Sequence, residues 1–247
     1  MRDIRIFVPD LQAHTDDRTV ALPEQASAHV SRVLRMRAGD ALTVFDGSGG
    51  EYSAEIANIA KKEVTLRLGA HSSTERESPL AVTLIQGLAR GDKMDYIVQK
   101  ATELGVARII PVATMRGIVQ LDEDRGDRKW QHWRAVAAAA CEQCGRNRLP
   151  QIEPPCSLEQ LWQTNTLPSL RLLLSPHAQT GIASALIPRP TELAILIGPE
   201  GGLDPEEESR AVAAGFRQVT LGPRVLRTET AGLAVLAAVQ SLAGDLQ

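Results

Sequence analysis

The sequence predicts an α/β protein in two parts: a small, mostly β domain over residues 1–72, then a larger domain over residues 73–247 built on a mainly parallel sheet. Three observations carry that prediction. Short alternating runs fill the first third, apolar runs alternating with helical patterns fill the rest, and a polar stretch, "GAHSSTERESP" (69–79), stands between them as a linker. Alternation suits strands with one wet face, whereas continuous apolar strands suit a parallel sheet covered by helices on both faces.

The elements follow in order. "PEQASAHVSRVLRM" places Val30, Val33 and Leu34 at helical spacing, and "AGD" ends that helix. "ALTVFDG" and "EYSAEIANI" alternate on either side of "SGG", a hairpin signal, and "EVTLRL" adds a further strand. Several short strands with one helix suggest a small barrel. Beyond the linker, "LAVTLIQGL", a helical "GDKMDYIVQKATELG" and "VARIIPV" set a β-α-β rhythm. "RKWQHWRAVAAAACEQCGR" is the longest helical stretch, and "LRLLLS" and "ELAILIG" are further buried strands. Asp204, Pro205 and Glu207 open the next helix as N-cap, first residue and capping-box partner. "QVTLG" is a last short strand, and "TETAGLAVLAAVQSLA" is a closing helix capped by Thr228.

Composition excludes several classes. Hydrophobic residues make up 43% of the 247 and charged residues 23%, the range of soluble globular proteins. Aromatics are only 3%, so the core must be built from Leu, Val, Ile and Ala. The formal net charge is −3 and neither part is basic overall, so a nucleic-acid site must be a local patch. Cys141, Cys144 and Cys156 provide no disulfide framework and fit a reducing compartment. "MRDIRIFVPD" carries charges and a Pro where a signal peptide needs an apolar run, and no apolar run is long enough to span a bilayer. A cytoplasmic protein is expected.

Four stretches carry candidate chemistry. "ILIGPEGGLDPEE" (195–207) follows an apolar strand, where open α/β sheets bind ligands, and Gly198, Gly201 and Gly202 allow positive φ and close approach of a ligand. It is neither a Walker loop nor a dinucleotide fingerprint, and Glu200 would repel a phosphate. The plain alternative is a Gly-rich turn before a capped helix. "CEQCGRNR" (141–148) has half the cysteines of a zinc site and no second pair, so a packed helix face is the simpler reading and no metal is expected. Arg146 and Arg148 after it suit a phosphate or a base edge, or simply a basic helix end. Arg32, Arg35 and Arg37 suit a phosphate backbone or a solvated face. Arg90, Lys93 and Lys100 read as a charged outer face around a helix start, and the histidines are assigned no catalysis.

Together these pieces resemble a known family. "VSRVLRMRAGD" and "FDGSGGEYSAEI" resemble the PUA-like barrel of the bacterial 16S rRNA (uracil-N3)-methyltransferases. "GDKMDYIVQKATELGV", "ACEQCGRNRLPQI", "LIGPEGGLDPEE" and "LGPRVLRTETA" resemble the catalytic domain of the same family, in order and along nearly the whole chain. The resemblance implies a SPOUT fold, with the C-terminal chain tucked into a trefoil knot. It also implies S-adenosylmethionine as methyl donor, a homodimer, and one uridine in the decoding region of 16S rRNA as substrate.

Carried over by position, the cofactor pocket takes Leu174 and the loop residues Ile197, Gly198, Pro199, Glu200, Gly201 and Gly202. Leu221, Gly222, Val225, Leu226 and Thr228 form its other wall, with Gly222-Pro223 setting the bend and Arg224 unassigned. Uracil N3 holds its proton at neutral pH, so transfer needs that proton removed or the imide anion stabilised. Arg146 and Arg227 are the candidate substrate ligands, and Glu229 is the candidate acceptor near N3 or the group that holds one Arg in place, although Glu229 also suits a helix N-terminus. Arg32, Arg35, Arg37 and Arg90 are the expected RNA contacts. Two rivals stay open: a phosphate-binding nucleotide enzyme using "GPEGG", and a non-catalytic RNA-binding adaptor.

Overall fold

The computed structural model describes residues 4–11, 18–61, 63–117, 123–164 and 166–246. The chain forms two compact units. One comprises Met1–Glu77 with Ala138–Leu149, the other Ser78–Ala137 with Pro150–Gln247.

The first unit holds β1 (Arg5–Phe7), β2 (Thr19–Ala21), α1 (Glu24–Ala28), β3 (Ala41–Phe45), β4 (Glu51–Ile59) and β5 (Val64–Ser72). Its sheet runs β1-β3-β4-β5-β2, antiparallel except for β1 beside β3. The expected hairpin is β3–β4, pairing Val44 with Tyr52. Alternate residues such as Leu42, Val44, Ala54, Ile56, Leu66 and Leu68 fill one aliphatic core.

The expected helix over Val30–Leu34 differs. After α1 the chain widens into a π-turn over His29–Val33, where the Leu34 N–H reaches back to the His29 carbonyl at 2.9 Å. The extra residue per turn swings Val33 and Leu34 outward, to 67% and 37% exposure, while Val30 and Met36 enter the core. Arg32, Arg35 and Arg37 are all exposed here, and Arg35 takes a left-handed φ of 54°.

The expected linker is not a free tether. β5 continues to Ser72, and the residues after it are bound within the first unit. Glu75 accepts from the Gly50 N–H at 2.8 Å, and the Thr74 carbonyl accepts from Asn147 at 2.6 Å.

The second unit begins with β6 (Ala81–Gly87), α2 (Lys93–Glu103) and β7 (Arg108–Ala113). The long α3 (Glu123–Cys144) follows, its last turns from Ala138 onward belonging to the first unit. Then come β8 (Gln151–Ile152), β9 (Cys156–Ser157), α4 (Leu158–Thr164), β10 (Arg171–Leu174) and α5 (Ile182–Ala185). β11 (Glu192–Ile197), α6 (Pro205–Ala213), β12 (Phe216–Val219) and α7 (Thr228–Ala243) complete the unit. The sheet is parallel throughout, in the order β12-β10-β11-β6-β7-β8, with β9 also on β7.

Both sheet faces are buried, as continuous apolar strands require. On β11, Leu193, Ile195 and Ile197 join the core beneath α2 and α7, while Ala194 and Leu196 join the core with Leu161 of α4 and Ala211 of α6. α6 starts as its sequence specifies: Asp204 accepts from the Glu206 N–H at 3.0 Å, and Glu207 accepts from the Asp204 N–H at 2.9 Å.

Candidate functional site

β10 and β11 lie side by side and end together, so the chain leaves both at the carboxyl edge of the sheet. That edge is where a doubly wound sheet leaves a crevice. Two loops close over it: residues 198–204, which lead to α6, and residues 220–227, which lead to α7. Between them is a cavity of about 400 Å³. Leu173, Leu174, Ile197, Leu203, Leu221, Val225 and Leu226 provide its apolar walls. Ser175 and Thr220 add polar groups, and Lys93, Glu200, Glu208, Arg224 and Arg227 add charge.

Thr228 ties the two loops together. Its hydroxyl donates to the Gly198 carbonyl at 2.6 Å and accepts from the buried Gln86 amide at 2.9 Å. This corrects its expected role as a helix cap. Arg227 is the N-cap, without a side-chain cap bond, because the Thr228 hydroxyl is committed across the sheet edge instead. Thr220 braces the second loop, donating to the Gly222 carbonyl at 3.0 Å and accepting from the Gly222 N–H at 3.2 Å.

The loop glycines serve different ends from those expected. Of Gly198, Gly201 and Gly202, only Gly202 takes a left-handed φ, at 70°, while Gly222 of the second loop has a φ of 119°. Gly198 is required by crowding: a Cβ there would lie 3.0 Å from the Leu203 nitrogen. Gly201 faces a neighbouring hollow rather than the cavity.

Of the other residues expected at the cofactor site, Leu174, Ile197, Gly198, Pro199, Glu200, Gly202, Leu221, Gly222, Val225, Leu226 and Thr228 all line the one cavity. Arg227 lines it too, and Glu229 follows at the first turn of α7. One Glu229 oxygen is buried and, among the described residues, faces the Lys93 ammonium at 3.3 Å. Arg90 lies at the neighbouring hollow.

Arg146 belongs to the first unit. Its guanidinium is 4% exposed and grips Glu77 through two bonds, at 3.0 and 2.6 Å. Burial opposes its charge, but the Glu77 bonds outweigh that and hold its pKa above the ordinary value. Asn147, fully buried, bonds Arg5 and the Thr74 carbonyl. The "CGRNR" segment thus acts as an internal clasp of the first unit. Burial also pushes the Cys141 thiol up to about 12.

Lys93 is the residue that sequence reading placed elsewhere. At the start of α2, its ammonium lies 3.0 Å from Glu200 and 3.3 Å from Glu229, the latter an ion pair without hydrogen-bond geometry. The Glu200 bond, with Glu229 assisting, raises the Lys93 pKa. Burial works to raise the Glu200 carboxyl, but bonds from the Arg90 N–H, its own N–H and Lys93 prevail and hold it below the ordinary 4.5. No local pattern marks Lys93, because Glu200 is 107 positions away in the chain.

Among known proteins, this architecture defines a class. The family model described as an RNA methyltransferase domain matches residues 76–240, and that described as an RNA methyltransferase PUA domain matches residues 22–69. The ribosomal RNA small subunit methyltransferase E of Bacillus subtilis is 32% identical over 90% of this chain and 89% of its own. The enzyme of that name from Neisseria gonorrhoeae, solved bound to S-adenosylmethionine, is 35% identical with a TM-score of 0.88 over the whole of both chains. A Legionella pneumophila protein described as a methyltransferase, solved with SAM bound, is 37% identical with a TM-score of 0.93, again over both whole chains. The chain belongs to the ribosomal RNA small subunit methyltransferase E family.

Proposed function

We propose that this protein transfers a methyl group from S-adenosylmethionine to N3 of one uridine in the decoding region of small-subunit rRNA. The observation that carries it is the meeting of residues 197–202 and 221–228 around one cavity, in a chain that matches two S-adenosylmethionine-bound structures from end to end.

The lining suits the cofactor. Leu174, Ile197, Leu221 and Leu226 offer faces for an adenine ring, the loop backbones offer donors and acceptors to its edge, and Glu200 and Glu208 favour a cationic ligand. When bound, S-adenosylmethionine supplies an electrophilic methyl on a sulfonium. The protein's own work is to bind the uracil in line, remove its N3 proton and stabilise the imide charge. Glu229 is half-buried at the first turn of α7 beside the cavity, its carboxylate 3.3 Å from the Lys93 ammonium, and a carboxylate with a cation able to take up the displaced charge is suited to accept that proton. Arg227 has its backbone fixed as the N-cap of α7 and its side chain at the cavity, which suits it to face O2 or O4. A base that reacts at its Watson–Crick edge must be turned out of any pairing.

The working unit is read as a homodimer. Support comes from α7, which is apolar on nearly every side yet leaves Leu242 49% exposed, with Leu246 beyond it at 42%. The closing chain is read as knotted, in keeping with β12 lying at the sheet edge while α7 returns over β6 and β11.

Two measurements test the function. Calorimetry should show S-adenosylmethionine binding to the pure protein, and small-subunit rRNA from a strain lacking the gene should miss one methyl on a uridine by mass spectrometry. No cofactor binding with or without RNA, or unchanged rRNA masses, would reject the proposal.

A further inference from the structure

The loop over residues 198–204 borders a second hollow, of about 440 Å³, lined by Arg90, Lys93, Arg116, Glu200 and Gly201. Among the described residues it shares Lys93 and Glu200 with the cofactor cavity. Three cations here face one carboxylate, and that carboxylate is already engaged by the Arg90 N–H at 3.1 Å and by Lys93 at 3.0 Å. Among the described residues the Arg90 guanidinium has no ion pair. Among those residues the Arg116 guanidinium has one pair, 3.4 Å to Asp204, whose other oxygen caps α6. Two guanidinium forks therefore stand in one concavity, with a single contact to Asp204 between them among the described residues.

Arg116 is also held in place. The Met115 N–H donates to the buried Glu207 at 2.8 Å, and the Gly117 N–H closes a turn onto the Thr114 carbonyl at 3.0 Å. Gly201 packs against it so closely that a Cβ there would lie 3.2 Å from both the Cβ and the carbonyl oxygen of Arg116. The backbone that carries this cation is braced by α6 and by the glycine loop, so the side chain starts from a fixed point at the edge of the hollow.

We infer that this hollow seats a backbone phosphate of the RNA, next to the nucleotide delivered to the cofactor cavity. The inference rests on the methyltransferase reading. A base turned out into a pocket leaves its flanking phosphates at the rim, so such a site needs cations beside the pocket rather than inside it. Guanidinium forks match phosphate oxygens in pairs, and the shared Lys93 and Glu200 put this seat directly alongside the cavity.

The test measures binding of a small-subunit rRNA fragment to the full chain over a salt series, for wild type, Arg116→Gln and Arg90→Gln. S-adenosylmethionine affinity is measured in parallel, and the melting profile checks the fold. Both arginines are exposed, so the variants should fold. Each variant should flatten the slope of log affinity against log salt by about 0.7 and weaken RNA binding several-fold at low salt. Cofactor affinity should stay within about twofold of wild type. Parallel salt lines with intact wild-type binding of both ligands would overturn the seat alone. A loss of cofactor affinity in Arg116→Gln without a slope change would overturn it too, assigning the cation to the cofactor carboxylate. A wild type that binds neither ligand would overturn the methyltransferase reading and the seat with it.

Discussion

The surroundings of Arg146 and Arg227 predict opposite outcomes for their removal. Arg146 is buried against Glu77, so Arg146→Ala would strand a carboxylate in the first unit. The expected cost is about 3–5 kcal/mol, read from urea denaturation. Arg227 is exposed and does not cap α7 with its side chain. Arg227→Ala should leave stability within about 0.5 kcal/mol and lower kcat/KM by about 100-fold or more. Near-normal turnover in that variant would remove Arg227 from the chemistry. Glu200 gives a pH prediction. Its folded pKa lies below 4.5, so its bonds to Lys93 and the Arg90 N–H contribute fully above that value and are lost as pH falls through the lower folded value. Lys93→Met should move the Glu200 titration upward, followed by the carboxyl carbon shift in NMR. These residues also show where sequence reading stops. Residues 197–202 and 221–228 stand out in the sequence because each is a contiguous run with a backbone-shaping Gly or Pro, although Gly201 lines the neighbouring hollow instead of the cavity. Lys93 and Arg116 do not, because each meets its carboxylates only through the fold.

Among the elements, α6 was the most legible, since every bond of its capping box lies within four residues of Asp204. Asp204→Ala should cost about 1 kcal/mol in chemical denaturation. A change below a few tenths would mean that the cap is redundant with the Glu207 bond to Met115. α7 was legible in extent but not in its start, because the Thr228 hydroxyl answers to Gly198 and Gln86 rather than to its own helix. The turn after α1 misled for a related reason: helical spacing cannot announce the extra residue of a π-turn, and that residue decides whether Val33 faces core or water. β8 and β9, two residues each, are too short for any periodic signal. The order of the sheet was also hidden. Apolar runs reveal which segments are strands, while the insertion of β11 between β10 and β6 is settled by how the intervening helices pack.

On the scale of the whole molecule, the homodimer reading predicts a sedimentation mass near twice 26.7 kDa. Leu242→Glu with Leu246→Glu should shift it toward the single chain. A monomeric wild type at micromolar concentration would reject that reading. A change of periodicity near residue 72 suggests a division there, while the first compact unit runs to Glu77 and takes back Ala138–Leu149, which no local pattern announces. That return rests on contacts of Arg5, Thr74 and Glu77 with Arg146 and Asn147 that span about seventy to a hundred and forty positions. One feature reaches across the second unit as well. A single ammonium, that of Lys93, borders both hollows and holds both Glu200 and Glu229. Whatever ligand reorients that charge alters the field felt by the other ligand. Thermodynamic linkage then requires a symmetric effect: the factor by which cofactor changes RNA affinity must equal the factor by which RNA changes cofactor affinity. In Lys93→Met that shared factor should fall toward one in both directions, so the order in which the two ligands arrive would cease to matter.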